Sequence, residues 1–292
     1  MTKLCVAGLP ICVESADKAF FGQRFAEYIR EDDREPVMSM STTRLDVVPC
    51  PEGEIIQRIE NAVVLRLADG RYCRYVTTPG GRLCYAIYYT SNYNRVDIQL
   101  LAKQHHPEFS QTDWEYVHTG GMFHNRLIRL GGGVLHSSAL AFHGQGIAFS
   151  ANSGVGKSTH AGLWREVYGD KVLMVNDDKP AVWVDGDTPM IAGTPWSGKT
   201  ALNHNVQVPL RAIVFLERGQ ENRIRRLSPL EAFSKLVEQI ARPYYDASLG
   251  EGAVNLAEKL LNAVPVYGLQ CTVSRKAVET VYREIFSQED AK

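Results

Sequence analysis

The sequence predicts an α/β (α+β) protein in which a smaller antiparallel domain precedes a larger one. Two observations carry this prediction. Short alternating segments joined by Asp-Gly, Pro-Gly-Gly and Asn-rich turns fill the first part of the chain, as in an antiparallel sheet. Further along, buried-strand patterns alternate with helical ones, and a glycine-rich turn separates one such strand from a helix. We therefore predict domains over residues 1–120 and 121–292.

Residues 1–120 are predicted to form short strands with one or two helices. Lys3–Glu14 alternates loosely, and Ala16–Ile29 is a helix candidate. The strands of the predicted antiparallel meander are Ala62–Ala68, Arg71–Thr78, Arg82–Thr90 and Arg95–Leu101. Their tyrosines are typical of sheet packing rather than of base stacking. No motif assigns this domain a role, so a lid, a docking surface and an oligomer contact all stay open.

The larger domain alternates strands and helices. Its strand patterns are Gly146–Phe149, Val172–Val175, Ala212–Leu216 and Val266–Val273, with a hairpin of Val182–Val184 and Met190–Ala192. Its predicted helices are Thr159–Tyr168, a helix from the capping box Ser228–Glu231 to about Ala241, Ala253–Ala263 and Arg275–Phe286.

Composition argues against several classes of partner. The net charge of −1 gives no reason to expect nucleic acid or an anionic membrane. The basic run Arg223–Arg226 is interpreted as a solvated strand face after a hairpin. No segment has the roughly 18 apolar residues of a membrane helix, and the N-terminus lacks the apolar core of a signal peptide. The six cysteines show neither C-x-x-C nor zinc spacing, which favours reduced thiols in a cytoplasmic protein.

The segment Ser153-Gly154-Val155-Gly156-Lys157-Ser158-Thr159 is the most informative motif. It lies between a strand pattern and a helical pattern, which is the setting of a phosphate-binding P-loop. Glycines let backbone N–H groups converge on phosphate oxygens, and the helix N-terminus adds partial positive charge. Lys157 would reach the β- and γ-phosphates, and Ser158 would offer its hydroxyl to Mg²⁺. ATP is the expected nucleotide, although no base-reading motif separates ATP from GTP.

A second segment, Gly193-Thr194-Pro195-Trp196-Ser197-Gly198-Lys199-Thr200, fits the pattern G-x-x-x-x-G-K-[S/T] more strictly. The first motif has Ala151 in place of its first glycine. Residues 201–209, however, include β-branched residues, two asparagines and a proline, so no stable helix is expected to begin there. We therefore assign the phosphate-binding turn to the segment that contains Lys157.

Asp177 and Asp178 follow a buried-strand pattern downstream of this turn. A P-loop needs a carboxylate for its magnesium, usually at the end of a neighbouring strand. Asp178 is predicted to be that ligand together with Ser158. Asp177 is predicted to be the general base that accepts the proton of an attacking hydroxyl. The alternative is that Asn176–Pro180 is only a turn, since all five residues suit one.

Several segments, taken in this order, resemble HPr kinase/phosphorylase and the ATP-dependent phosphoenolpyruvate carboxykinases that share its fold. They are Leu135–Leu140, Gly146–Phe149, Ser153–Thr159 and Val175–Asp178. The resemblance implies a mixed, strongly curved sheet with the nucleotide over the P-loop, and a requirement for Mg²⁺ or Mn²⁺. In the carboxykinases a histidine before the P-loop strand binds the catalytic metal, and His136 matches it. The Gly193–Thr200 segment resembles a later carboxykinase segment, which implies that Lys199 is a second γ-phosphate contact.

The chain also departs from both families, and the match covers roughly residues 135–217. Ile191-Ala192 stands where a glutamate is expected before the second segment. The Arg-Gly-Leu-Gly-Ile type run that follows the acidic pair in HPr kinases is replaced by Gly193–Thr200. We therefore interpret the chain as a relative of HPr kinase and not as an HPr kinase itself. Carboxykinases are considerably longer, and no convincing set of substrate-binding arginine and lysine lies upstream.

The leading hypothesis is a Mg²⁺-dependent kinase that transfers the γ-phosphate of ATP to a hydroxyl. The acceptor would be a serine of a peptide or small protein, or a metabolite. Asp177, Lys199 and His136 are the predicted catalytic residues, and Trp196 and Ser197 are expected to shape the acceptor side. A non-catalytic nucleotide-binding sensor or scaffold is the main alternative, and a carboxykinase-like enzyme is a third. Related kinases assemble as rings, so a homo-oligomer also stays open.

Overall fold

The computed structural model describes residues 1–286. Within these residues the chain forms 6 α-helices and 17 β-strands. It divides into two compact units. Unit 1 consists of residues 1–130 and 242–250, and unit 2 of residues 131–241 and the chain from 251 onward. The predicted boundary after residue 120 falls inside the continuous helix Gln111–Arg129, so the division follows Leu130 instead.

The strands of unit 1 form one mixed sheet of 8 strands among the described residues. They are β1 Thr2–Val6, β2 Leu9–Glu14, β3 Met38–Leu45, β4 Glu54–Ile59, β5 Ala62–Arg66, β6 Tyr72–Thr77, β7 Leu83–Tyr89 and β8 Arg95–Leu101. Their order is β1-β2-β3-β8-β7-β6-β5-β4. The meander predicted for β5 to β8 is confirmed as antiparallel. The sheet is mixed because β3 pairs in parallel with both β2 and β8.

Unit 1 contains two complete helices, α1 Lys18–Phe25 and α2 Gln111–Arg129, within the residues described. The first is shorter than the predicted Ala16–Ile29, because Ala26–Tyr28 tightens into a 3₁₀ turn and Ile29 is extended. The second begins at a capping box, in which Ser110 and Asp113 each accept a backbone N–H from the other residue. The Ser-x-x-Asp spacing was the available signal for this helix, which we did not predict in the sequence.

The segment 242–250 belongs to unit 1 although both of its flanks belong to unit 2. The Asp246 carboxylate accepts hydrogen bonds from the Tyr93 hydroxyl at 2.8 Å and from Arg129 Nη2 at 3.1 Å. The Arg74 guanidinium lies 5.2 Å from the ring centroid of Tyr245. Polar and cation–π contacts to the sheet and to α2 therefore hold this segment.

The strands of unit 2 form a second mixed sheet. They are β9 Gly133–Val134, β10 Ser137–Phe142, β11 Gln145–Ser150, β12 Val172–Asn176, β13 Ala181–Asp185, β14 Thr188–Ala192, β15 Gln207–Arg218, β16 Arg223–Arg226 and β17 Val266–Cys271. β15 is longer than the predicted Ala212–Leu216, since its first residues pair with β14 and the rest with β11 and β17. The basic run is a strand as expected, but β16 pairs with β17 rather than with β15.

The remaining helices are α3 Lys157–Tyr168, α4 Pro229–Gln239, α5 Ala247–Ala263 and α6 Arg275–Phe286. The predicted capping box of α4 is confirmed, with Ser228 as N-cap and Glu231 closing it. α5 begins six residues before the predicted Ala253, at the segment 242–250. Within residues 1–286, no helix combines the length and the apolar character needed to cross a membrane.

Two hydrophobic clusters cover the two faces of the unit 2 sheet. One combines alternate residues of β15, such as Ile213 and Phe215, with apolar side chains of α4 and of the later turns of α5. The other combines Ala212, Val214 and Leu216 with side chains of α3 and α6. Because successive side chains of a strand point to opposite faces, the continuous apolar run of β15 serves both clusters. The helices therefore lie on both faces of the sheet.

Candidate functional site

The first glycine segment forms the turn between β11 and α3. β11 lies between β10 and the parallel strand β15, so the turn begins at the carboxyl end of an interior strand. Gly154 and Gly156 have φ of 78° and 121°, which side chains rarely tolerate. Gly156 is the N-cap of α3, and Ser158 and Thr159 are exposed in the first turn. The strand, turn and helix that the motif requires are all present.

Lys157 is 9% exposed, and its ammonium Nζ donates to the backbone oxygen of Ala151 at 3.1 Å. Burial lowers the pKa of Lys157, and the carboxylate of Asp178 acts against this shift. The ammonium therefore lies across the turn and within electrostatic reach of Asp178. Since the contact to Ala151 uses the backbone, the absence of the first motif glycine does not remove it.

Asn176 ends β12 and fixes the turn that follows. Its side chain is fully buried, and its Oδ1 accepts the backbone N–H groups of Asp178 at 2.9 Å and Lys179 at 2.6 Å. Its Nδ2 donates to the backbone oxygen of Thr194 at 2.8 Å. Residues 176–180 therefore form a turn, as in the alternative interpretation, and this turn also presents both acidic side chains.

Asp177 is 6% exposed and lies between two hydroxyl groups. Its Oδ1 accepts from Ser138 Oγ at 2.8 Å, and its Oδ2 accepts from Thr200 Oγ1 at 3.1 Å. Ser138 lies on β10, beside β12 in the sheet. Asp177 thus connects the sheet to the second glycine segment.

Asp178 is half-buried and has two cationic or titratable neighbours. Its Oδ1 lies 3.3 Å from His136 Nε2, and its Oδ2 lies 3.1 Å from Lys179 Nζ. Burial alone would raise the pKa of Asp178, but the hydrogen bond from His136 and the charge of Lys179 together lower it to about 2. The carboxylate is therefore ionised at neutral pH and can bind a cation.

The second glycine segment begins no helix, as expected from its sequel, and packs against the acidic pair instead. Gly198 has φ of 69°, and a Cβ at this position would lie 2.9 Å from Asp178 Oδ2. Lys199 is exposed beside it. The structure therefore brings this segment to Asp178 at Gly198 and to Asp177 through the Thr200 hydroxyl.

Trp196 and Ser197 are almost fully buried, at 2% and 1% exposure. Ser197 Oγ donates to the backbone oxygen of Thr200 at 2.7 Å and accepts from Asn203 Nδ2 at 2.8 Å. These contacts of Ser197 support the conformation of its own segment, and the expectation that the two residues shape the acceptor side stays a prediction.

Two clefts flank the first glycine turn. The α3-side cleft has a volume of 470 Å³ and is lined by Gly154, Val155, Gly156, Thr159, His160, Leu163, Leu216, Glu217, Arg218, Gly219, Cys271, Thr272 and Val273. The α4-side cleft has a volume of 380 Å³ and is lined by Ala151, Asn152, Val155, Phe215, Leu216, Glu217, Arg218, Lys235, Glu238 and Gln239. Arg218 lies between them and donates from Nη2 to the backbone oxygen of Gly154 at 2.6 Å. Both volumes are in the range of ligand pockets.

The donors near the turn suit a hard cation. Ser158 and Asp178 offer hydroxyl and carboxylate oxygens, which Mg²⁺ prefers. No group of three or more His, Cys, Asp or Glu side chains in residues 1–286 is arranged to hold a metal ion. Mg²⁺ in nucleotide sites usually relies on one or two carboxylates together with phosphates and water, so the donor set fits magnesium carried by a nucleotide.

Comparisons with known proteins give little beyond this geometry. No family model matches the chain, and no curated protein matches it. Among solved structures, the HPr(Ser) kinase/phosphatase from Coxiella burnetii is similar over 53% of this chain and 98% of its own, with 14% sequence identity and a TM-score of 0.30. A likeness this weak assigns neither a family nor a reaction. The chain is a mixed α/β protein whose function has to be argued from its site.

Two residues of the site escaped the sequence analysis. Ser138 lies within the Leu135–Leu140 segment. Its contact with Asp177 depends on the pairing of β10 with β12, which the periodicity of the sequence does not reveal. Gln239, the last residue of α4, donates from Nε2 to Asn152 Oδ1 at 3.3 Å. No motif marks it, because the contact joins residues that are far apart in the chain.

Proposed function

We propose that this protein is a Mg²⁺-dependent kinase that transfers the γ-phosphate of ATP to a hydroxyl group. The observation that carries the proposal is that Lys157 lies near two carboxylates, those of Asp177 and Asp178. Both carboxylates lie against the second glycine segment. The carboxylate of Asp178 acts to raise the pKa of Lys157 against the effect of burial. Asp177 accepts a hydrogen bond from Thr200, and Asp178 lies against Gly198. Phosphoryl transfer relies on groups that hold the phosphates, on a residue that positions or deprotonates the nucleophile, and on positive charge near the transferring group.

The glycine turn and Lys157 are proposed to bind the phosphates. The ammonium of Lys157 would then donate to a phosphate oxygen instead of to the Ala151 carbonyl. This exchange requires only a local movement of the lysine side chain. Ser158 and Asp178 would hold magnesium, whose positive charge favours transfer by neutralising the phosphates. His136 keeps the carboxylate of Asp178 oriented and ionised.

Asp177 is proposed to be the general base. It accepts the proton of the acceptor hydroxyl while the oxygen of that hydroxyl bonds to the γ-phosphorus and the bond from this phosphorus to ADP breaks. Ser138 and Thr200 fix the two carboxylate oxygens before the reaction. Lys199, next to Thr200, is proposed to stabilise the charge of the transferring group.

The nucleoside is proposed to occupy the α3-side cleft. Gly154 and Gly156 contribute to its wall, and Leu163, Leu216 and Val273 give it apolar sides. An apolar cleft next to a phosphate-binding turn suits a planar base, with the phosphates extending over the turn.

The assignment of the base is tested with Asp177→Asn. We expect this variant to keep its affinity for Mg²⁺ and a non-hydrolysable ATP analogue, measured by calorimetry, and to lose ADP formation in the presence of a mixture of serine peptides. Asp185→Asn, at the exposed end of β13, is the matched control and should behave as the unaltered protein. ADP formation that survives Asp177→Asn would show that Asp177 is not the base.

A non-catalytic nucleotide sensor is the second candidate, because both oxygens of Asp177 already accept hydrogen bonds. It predicts tight binding of Mg²⁺–ATP without ADP formation from any hydroxyl compound. A melting temperature that rises with ATP, in a protein that forms no ADP, would favour the sensor over the kinase.

A further inference from the structure

We infer that unit 2 holds a second binding site, which takes a small organic anion with a carboxylate or phosphate head and an apolar body. The site is a cavity of 570 Å³ at the opposite end of the sheet from the glycine turn. Arg211, Arg226 and Tyr267 would bind the head of the ligand. The inference goes beyond the proposed function and does not depend on it.

The cavity lies where the parallel strands begin. Its lining includes Gln145 at the start of β11, Leu210 in β15 and Pro265 just before β17. The glycine turn follows the other end of β11, which is a strand of 6 residues. The length of this strand separates the two places by about 17 Å. The cavity has the volume of a ligand pocket and is separate from the proposed nucleotide site.

A β-bulge directs Arg211 toward the cavity. The register of β11 against β15 shifts between Gly146 and Ile147, and Arg211 is the extra residue of β15 at this point. Its Nη2 donates to the backbone oxygen of Ile285 in α6 at 3.2 Å. Bulges are rare in parallel pairs, and they commonly re-aim a side chain next to a functional site. The bulge therefore brings a guanidinium to the α6 side of the sheet, where it lines the cavity.

Three further groups converge on Arg211. Arg226 of β16 is opposite Tyr267 of β17 in the antiparallel register, and both line the cavity together with Glu284 of α6. Burial raises the pKa of Tyr267, and the charge of Glu284 adds to this shift. Arg226 and Arg211 act against it. The phenol therefore lies within electrostatic reach of all three charges, and it keeps its proton at neutral pH and can donate a hydrogen bond.

The balance of charge in the lining favours an anion. Arg211 and Arg226 bring two positive charges and Glu284 one negative charge, so the lining has a net charge of +1. Arginine presents parallel N–H donors that match the oxygens of a carboxylate or a phosphate. Pro189 and Pro209 add apolar surface to the same cavity. An inorganic anion would leave this surface uncovered, so an anion with an apolar body fits better.

The experiment is a titration of the full chain, without nucleotide, followed by ¹H–¹⁵N NMR at constant ionic strength. The probes are sodium benzoate, phenyl phosphate and the neutral benzamide. We expect benzoate, phenyl phosphate or both to cause saturable shifts of the backbone amide of Tyr267 and of the side-chain amide of Gln145. Benzamide should cause none up to about 10 mM. Benzoate should leave the amides of Gly154 and Gly156 unshifted, since they lie beyond the other end of β11.

Three variants show which charges hold the anion. Arg226→Gln should weaken the anion that binds at least about tenfold, because one charged donor is lost. Arg223→Gln removes the same charge from the other end of β16, so it is the matched control and should bind this anion as before. Glu284→Gln should bind the anion more tightly, since it removes the opposing charge from the lining.

Four results would overturn the inference. The first is the absence of saturable shifts at Tyr267 with both benzoate and phenyl phosphate. The second is benzamide that binds as tightly as the anions, because charge would then play no part. The third is an equal loss of binding in Arg223→Gln and Arg226→Gln, which would indicate a general effect of surface charge. The fourth is weaker binding in Glu284→Gln, which would mean that the carboxylate itself holds the ligand.

Discussion

The two segments that contain Gly-Lys followed by Ser or Thr have similar motifs and different structural roles. Ser153–Thr159 lies between a strand and α3, and its glycines take left-handed backbone angles at the start of the helix. Gly193–Thr200 leads into irregular chain and packs on the acidic pair. The segment that fits the motif less strictly has the geometry of a phosphate-binding turn. The residues that follow a motif, and their propensity to form a helix, therefore decide its role.

Glycine makes a different contribution in each segment. A Cβ at Gly154 would meet no atom within 4 Å, so this glycine is needed for its φ alone. A Cβ at Gly193 would overlap the backbone oxygen of His204 and lie 2.7 Å from that of Val175. The first segment needs backbone freedom, and the second needs close approach between chains.

The largest expected effect comes from Gly193→Ala. Backbone oxygens cannot move aside as a side chain can, so we expect a loss of at least about 4 kcal/mol in the free energy of unfolding. Gly154→Ala is the matched variant and should cost about 1–2 kcal/mol, the price of a left-handed angle. Urea denaturation measures both. Equal losses would show that the two glycines do not differ in the way the structure indicates.

The next effect distinguishes the role of Lys157 in nucleotide binding from that of Lys199 in turnover. Lys157→Met should abolish measurable binding of Mg²⁺–ATP, because the ammonium lies over the turn. Lys199→Met should leave this binding within about twofold and lower turnover about 10²- to 10³-fold, the usual effect of removing one group that stabilises transition-state charge. Calorimetry and ADP formation provide the two measurements. If Lys199→Met loses nucleotide binding, the second segment also contributes to binding of the nucleotide before the reaction.

The third effect is a pH dependence of the free energy of unfolding, which arises from a histidine in α3, the helix that follows the first segment. His160 is 3% exposed and accepts from Trp164 Nε1 at 3.4 Å, and burial lowers its pKa to about 4. In the unfolded chain the His160 imidazole binds a proton near pH 6.5. The stability that the lowered pKa of His160 provides is therefore complete above pH 6.5 and is lost as the pH falls toward 4. The loss should reach about 3 kcal/mol.

Chemical denaturation of the unaltered protein and of His160→Gln, at pH 7 and pH 4, measures this contribution as a difference. Other titrating groups affect both proteins alike. The variant should lose less stability than the unaltered protein over this range. Parallel losses would mean that folding does not lower the pKa of His160.

The smallest effect concerns the hydrogen bond between the second segment and the base. Thr200→Val removes the donor to Asp177 Oδ2 and keeps the shape of the side chain. We expect a loss of about 1 kcal/mol in stability and a reduced turnover, with nucleotide affinity unchanged. Thr188→Val, at the exposed start of β14, is the control for the substitution itself. Unchanged turnover in Thr200→Val would show that this bond does not position Asp177.

Much of the fold was predictable because its signals are local. The meander from β5 to β8 follows alternation and turn residues, and the start of α4 follows its capping box. The parallel pairings of β3 were not predictable from these signals. The pairing with β2 joins Ile11 to Met38, and the pairing with β8 joins Ser39 to Arg95. No short-range pattern records pairing over such separations.

The site shows the same division between local and distant information. The turn at Gly154 and Gly156 and the turn after Asn176 were found from their residues and flanks. The contact of Ser138 with Asp177 and that of Gln239 with Asn152 depend on how the sheet and α4 pack. The roles given to Asp177, Asp178, Lys199 and His136 stay proposals, because they describe a reaction rather than an arrangement of atoms.

The return of residues 242–250 to unit 1 has a consequence for how the protein can be divided. No single cut releases unit 1 whole, since a fragment that ends at Leu130 lacks the carboxylate that accepts from Tyr93 and Arg129. Unit 2 is likewise interrupted, between α4 and most of α5. A shortened version that keeps unit 1 intact therefore needs an artificial linker that joins residue 130 to residue 242. Exchanging either unit for another domain therefore requires several chain breaks rather than one.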